Sequence, residues 1–161
     1  NDSVVNRSFR ATGGTVLASK LALPNRLSCN TAGGSHHATR DEGAGYCVFN
    51  DVAVAAKHML SKKFIKRVLI IDLDVHQGNG NSEIFKNNRS VFTFSMHCKS
   101  NYPAKKSNSD FETSTIAHQS ECQQIVQCSD RARKQHLSPL YQSVSPCCVL
   151  RLCVQISGLV K

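Results

Sequence analysis

Tryptophan is missing from this 161-residue chain, and aromatic residues make up only 6% of it. The basic residues therefore have few aromatics to interleave with, and a base-stacking nucleic-acid surface is not expected. Acidic residues are scarce too: 11 Asp and Glu stand against 20 Lys and Arg, for a formal charge of +9. The basic residues are scattered, so a solvated basic surface is the simpler reading and no specific nucleic-acid partner is predicted. No apolar run approaches the roughly 18–20 residues that span a bilayer. No signal-peptide pattern opens the chain, and no membrane partner is expected. The eight cysteines contain no C-x-x-C pair, which argues against a structural zinc knuckle. Cys122, Cys128, Cys147, Cys148 and Cys153 crowd the last forty positions. Reduced thiols and an intracellular setting are expected, where the sequons at Asn6 and Asn88 carry no meaning. Internal repeats are absent. The length bounds the chain to one domain or part of one, and 40% hydrophobic residues suffice for a core.

What is present centres on Val68 to Gly80, VLIIDLDVHQGNG. Four apolar residues, Val68 to Ile71, read as a buried parallel strand. Asp72, Asp74 and His76 follow at alternate positions, which an extended chain would place on one side. Buried carboxylates are costly unless something positive holds them. A divalent metal is the simplest partner, since carboxylate oxygen and imidazole nitrogen are ordinary zinc ligands. An isolated Asp-x-Asp is common in turns and caps. The apolar run before it and the histidine after it favour a site at a strand end, where open α/β sheets bind ligands.

The remaining elements frame that stretch. Val16 to Leu23 reads as a helix ending near Pro24, with Val16, Leu17 and Leu21 as its buried stripe. Leu27 to Asn30 reads as a short strand. Two glycine-bearing loops come next: Gly33-Gly34-Ser35-His36-His37 and Gly43-Ala44-Gly45-Tyr46-Cys47. Paired imidazoles in one loop and an aromatic in the other suit a small pocket. Asn50 or Asp51 caps a helix whose Val52, Ala55, Ala56, Met59 and Leu60 repeat at helical spacing. Ser82 to Lys86 reads as a helical turn, and Val91 to His97 as a second strand. After about Asp110 Ser, Gln and Cys become frequent and no strong period survives, although Val149 to Val154 has strand character.

Four motifs then converge: GGSHHA at 33–38, GAGYCVFND at 43–51, DLDVHQGNG at 72–80 and VFTFSMH at 91–97. Together they resemble the zinc-dependent histone deacetylases of the arginase–deacetylase fold, closest to class IV and bacterial-type members. The resemblance implies an α/β fold: part of a parallel sheet with helices on both faces, incomplete at both ends. It implies zinc bound by Asp74 and His76. It implies a catalytic histidine pair, His36 and His37, with Asp72 behind the first and Asn79 behind the second. Asp72 and Ser95 match ligands of a structural monovalent cation, usually potassium. Gly45, Tyr46 and Tyr102 match the substrate tunnel. The implied reaction is hydrolysis of N-acetyl-lysine amides on a histone or other acetylated protein. Corepressor partners and a nuclear or cytoplasmic location fit the family, and an organelle fits as well.

Two family segments have no counterpart after Asp110: a third zinc-binding Asp and a transition-state Tyr. Asp130 follows no buried strand, and Tyr141 lies in no glycine-rich loop. The expectation is therefore a central fragment that begins without Met. Residues 11–110 would be a partial deacetylase domain, and 111–161 an atypical tail altered in frame or splicing. Catalysis would be impaired. The alternatives are a non-catalytic product acting only through binding, or a deacetylase of acetylated small amines. A dimanganese ureohydrolase would need a carboxylate two residues after His76, where Gly78 stands.

Overall fold

A computed structural model describes residues 2–115 of the chain. The cysteines from Cys122 onward, Asp130, Tyr141 and the strand expected at Val149 to Val154 lie outside the described residues.

The first helix, α1, spans Asp2–Asn25, far longer than the expected 16–23. Two of its hydroxyls bond back into it, Ser8 to Val4 O and Ser19 to Thr15 O, each four residues back. The expected apolar stripe does not form. Leu17 and Leu21 are exposed, and the buried residues are Thr15 and Ser19. Arg26, at φ 65°, turns the chain out of the helix. No strand follows at Leu27 to Asn30. Leu27 is exposed, and Asn30 folds back instead, donating to Ala11 O at 2.9 Å and to Thr15 Oγ1 at 2.8 Å.

Helix α2, Asp51–Ser61, follows its pattern closely. Asn50 is the cap, its Oδ1 accepting from Ala53 N at 2.9 Å. Val52, Ala53, Ala56 and Met59 meet Ile65, Val68, Ile70, Phe85 and Val91 in one core. Strand β1 (Val68–Asp72), helix α3 (Asn79–Phe85) and strand β2 (Val91–Cys98) then make a βαβ unit. The two strands pair in parallel, from Val68 with Val91 to Asp72 with Ser95.

A third parallel strand, β3 (Phe111–Thr115), joins β2 where the sequence shows no apolar period. Asp110 seats it: one carboxylate oxygen accepts from Thr93 N at 2.8 Å and from Thr93 Oγ1 at 2.9 Å. The sheet is thus parallel, in the order β1-β2-β3, within an α/β fold that the described residues contain in part. Its faces differ. Val68, Ile70, Val91, Thr93 and Ser95 are buried, the apolar three of them against α2 and α3. Phe92 and Phe111 point outward, and Phe94 stacks on Phe111 with centroids 5.5 Å apart. Among the described residues no helix is long and apolar enough to cross a membrane.

Candidate active site

The site is built where β1 stops. Asp72 is buried as the last residue of the strand, and the chain then bends. Asp74 N donates to Asp72 Oδ1 at 3.1 Å, and His76 N donates to Asp74 Oδ1 at 2.8 Å. Each carboxylate thereby holds the backbone two residues on, as short acidic side chains do in turns. This corrects the expectation that strand alternation aligns Asp72, Asp74 and His76. Two successive side-chain turns do so, and the strand has already ended.

The loop before α2 brings the histidines to these carboxylates. His36 Nδ1 lies 2.5 Å from Asp72 Oδ2, and His36 Nε2 lies 3.8 Å from Asp74 Oδ1. His37 Nδ1 lies 2.7 Å from Asn79 Oδ1, at the start of α3. The rings sit 4.1 Å apart between centroids, and both residues are buried. With the Asn79 amide oxygen accepting, His37 Nδ1 carries the proton and Nε2 keeps its lone pair. Burial, and next the neighbouring His36, push the His37 pKa below the ordinary histidine value; the Asn79 hydrogen bond opposes them.

Glycines permit this density. A Cβ on Gly80 would stand 2.3 Å from Ala38 O and 2.6 Å from His36 O. A Cβ on Gly45 would stand 2.4 Å from His37 Cδ2, and its φ of 52° already favours glycine.

The two candidate tunnel tyrosines differ. Tyr102 meets His37 edge-on at 4.8 Å and His76 at 6.4 Å. Tyr46, at φ 64°, is fully exposed and makes no ring contact with either histidine. Ser95, across from Asp72 in the sheet, has its hydroxyl 3.0 Å from His97 Nδ1. Burial is the main force lowering the His97 pKa, with Glu112 opposing it.

Asp74 Oδ1 and His76 Nδ1 converge to 2.9 Å, presenting two donors of the kinds that zinc takes. Among the described residues no group of three or more His, Cys, Asp or Glu side chains is placed to hold a metal. The donor chemistry fits zinc, and the described donor number is one short of a three-ligand catalytic site.

Sequence reasoning missed several supports. Gln77 is wholly buried and pins the loop before β3, donating to Ser107 O and to Glu112 Oε2 at 2.7 Å each and accepting from Ser107 N at 2.8 Å. Asn50 and Asp51 hold the histidine loop as well as starting α2. The only signal was their place at the end of the GAGYCVFND motif.

A parallel sheet with paired, acceptor-backed histidines at a strand end is the arrangement that the motifs implied. The histone deacetylase domain profile matches residues 1–153, and the chain belongs to that family. It is 50% identical over 109 residues to an uncharacterized protein of Picosynechococcus, covering 68% of this chain and 36% of that protein. It is 38% identical over 94 residues to histone deacetylase 2 of Arabidopsis thaliana, covering 58% and 24% respectively. It is 37% identical over 92 residues to the acetoin utilization protein AcuC of Staphylococcus aureus, covering 56% and 23%. The chain thus spans about a third or less of the length of these relatives.

Proposed function

We propose that this chain carries the histidine-pair part of a zinc-dependent deacetylase that hydrolyses N-acetyl-lysine amides. The observation that carries the reading is the doubled pairing, His36 with Asp72 and His37 with Asn79, beside the converging Asp74 and His76. Family membership supports deacetylation in general.

Asp74 and His76 would hold the zinc, which when bound would polarise the amide carbonyl and acidify a water. His37, whose pKa burial lowers, would take a proton at Nε2 from an attacking water and return it to the leaving amine. Asp72 fixes the His36 tautomer. Tyr102 offers a flat wall beside His37 for the lysine stem. Asp72 and Ser95 would take part in a structural potassium site. The substrate is an acetylated histone or another acetyl-lysine protein, met in the nucleus or cytoplasm, with corepressor proteins as partners.

A second reading follows from the donor count: a non-catalytic member that acts through binding. Acetate release from an acetyl-lysine peptide separates the two, with the Asp74→Ala chain as control. Deacetylation predicts slow, chelator-sensitive release that the substitution abolishes. The rate should be low, because loss of one oxyanion donor alone costs about 10²–10³-fold. Release no greater than the control, in a chain shown to be folded, would reject catalysis by this chain and leave the non-catalytic reading.

A further inference from the structure

Asn50 and Asp51 are neighbours at the start of α2, and their side chains grip the histidine loop at two points. Asp51 accepts from Ser35 N at 2.7 Å and from Gly34 N at 3.1 Å. Asn50 Nδ2 donates to Ala38 O at 3.1 Å. Between Ser35 and Ala38 lie only His36 and His37. One dipeptide thus holds the residue just before the pair and the residue just after it.

The grip is itself anchored. Asn50 and Asp51 are 4% and 1% exposed. Thr15 Oγ1 lies 2.5 Å from Asp51 Oδ2 and takes a hydrogen bond from Asn30 Nδ2. The next residues of α2, Val52 and Ala53, are set in the core. The loop has no helix of its own; His36 and His37 are held from the far side by Asp72, Asn79 and Asn81 N–H, and Asn50 and Asp51 hold the backbone on either side of them. Reacting groups need placement to within about 0.5 Å, and a shift of about 1 Å can cost about 10²-fold in rate.

We propose that Asn50 and Asp51 are positioning residues that clamp the His36–His37 pair from both sides, with Thr15 of α1 bracing the clamp. The inference rests on the reading of that pair as the reacting groups. A carboxylate suits position 51 because Ser35 N–H, Gly34 N–H and the Thr15 hydroxyl all donate toward it. An amide there keeps one acceptor for the loop, and Thr15 can then donate to Ala11 O, 3.3 Å away. Serine at position 50 would still cap α2 but is too short to reach Ala38 O. Asn50→Ser therefore separates the clamp from the cap.

The test uses the 161-residue chain with Asn50→Ser, Asp51→Ala and Asp51→Asn. Circular dichroism establishes folding. Proton NMR follows the far-downfield signal of the His36 Nδ1–H bonded to Asp72, and hydrogen exchange follows the Gly34 and Ser35 amides. In folded Asn50→Ser the downfield signal should shift or broaden. In Asp51→Ala both amides should also lose about 10-fold or more in protection, while Asp51→Asn keeps most of it. On an acetyl-lysine peptide, kcat should fall about 10-fold or more with KM within about twofold. Folded variants whose signal and protection match the unsubstituted chain would overturn the clamp. Should Asp51→Ala fail to fold, Asn50→Ser decides alone. The NMR response without deacetylase activity in the parent chain would sustain the clamp and reject the catalytic reading. Activity without the NMR response would do the reverse.

Discussion

The 24-residue α1 buries only Thr15 and Ser19, whereas the 11-residue α2 buries Asp51, Val52, Ala53, Ala55, Ala56 and Met59. The longer helix leaves Val4, Phe9, Leu17 and Leu21 exposed. The shorter one fills the core between itself, the sheet and α3. Length therefore says little about what a helix contributes. α2 stabilises by apolar volume removed from water, at about 1.5–3 kcal/mol for a side chain such as Met59. α1 contributes at its Thr15, which bonds the buried carboxylate of Asp51. The two helices also end alike. Arg26 after α1 and Lys63 after α2 both take left-handed φ, 65° and 56°. At Lys63 the motif is complete, with Lys63 N donating to Leu60 O at 3.0 Å and Phe64 N to Met59 O at 3.1 Å.

The contrast can be broken by substitution. Met59→Ala should cost about 2–5 kcal/mol in urea unfolding, because the side chain is wholly buried. A loss below about 1 kcal/mol would mean that the core closes around the gap and that α2 is not its keystone. Lys63→Gly should stabilise by about 0.5–1 kcal/mol, since glycine enters the left-handed region without the Cβ clash. A lowered melting temperature would show that the lysine side chain contributes more than its backbone strain costs. Leu17→Ala should change stability by no more than about 0.5 kcal/mol, as an exposed position on the outer face of α1. A larger loss would show that this face is covered in solution.

The same difference explains what could be read in advance. Strand β1 was expected at 68–71 and runs 68–72; β2 was expected at 91–97 and runs 91–98. Both announce themselves by buried apolar or β-branched side chains. α2 was legible because Val52, Ala55, Ala56 and Met59 keep a helical period. α1 was half-read, because the residues that it buries are hydroxyl-bearing and its leucines face water. β3 was unread, because FETST carries no apolar alternation and is held by pairing with β2 and by Asp110. In the site, the motif resemblance implied that Asp72 lies behind His36 and Asn79 behind His37, and those atoms do meet. It did not imply that Tyr46 would stand clear of the histidines while Tyr102 lies against them.

The sequence by itself determined β1, β2, α2 and the residue types at the strand end, and through the motif resemblance the α/β class and the family. These follow from local periodicity, and from motifs whose spacing survives without any knowledge of contacts. Outside those motif pairings, only the tertiary structure decided which donor meets which acceptor. Thr15 and Asp51 are 36 residues apart, and Ser35 and Asp51 are 16 apart. No local pattern encodes such a meeting. Those partners are chosen when the core closes, because a buried carboxylate or imidazole must then find its hydrogen bonds within the protein or leave them unmade at a cost of about 1–3 kcal/mol each.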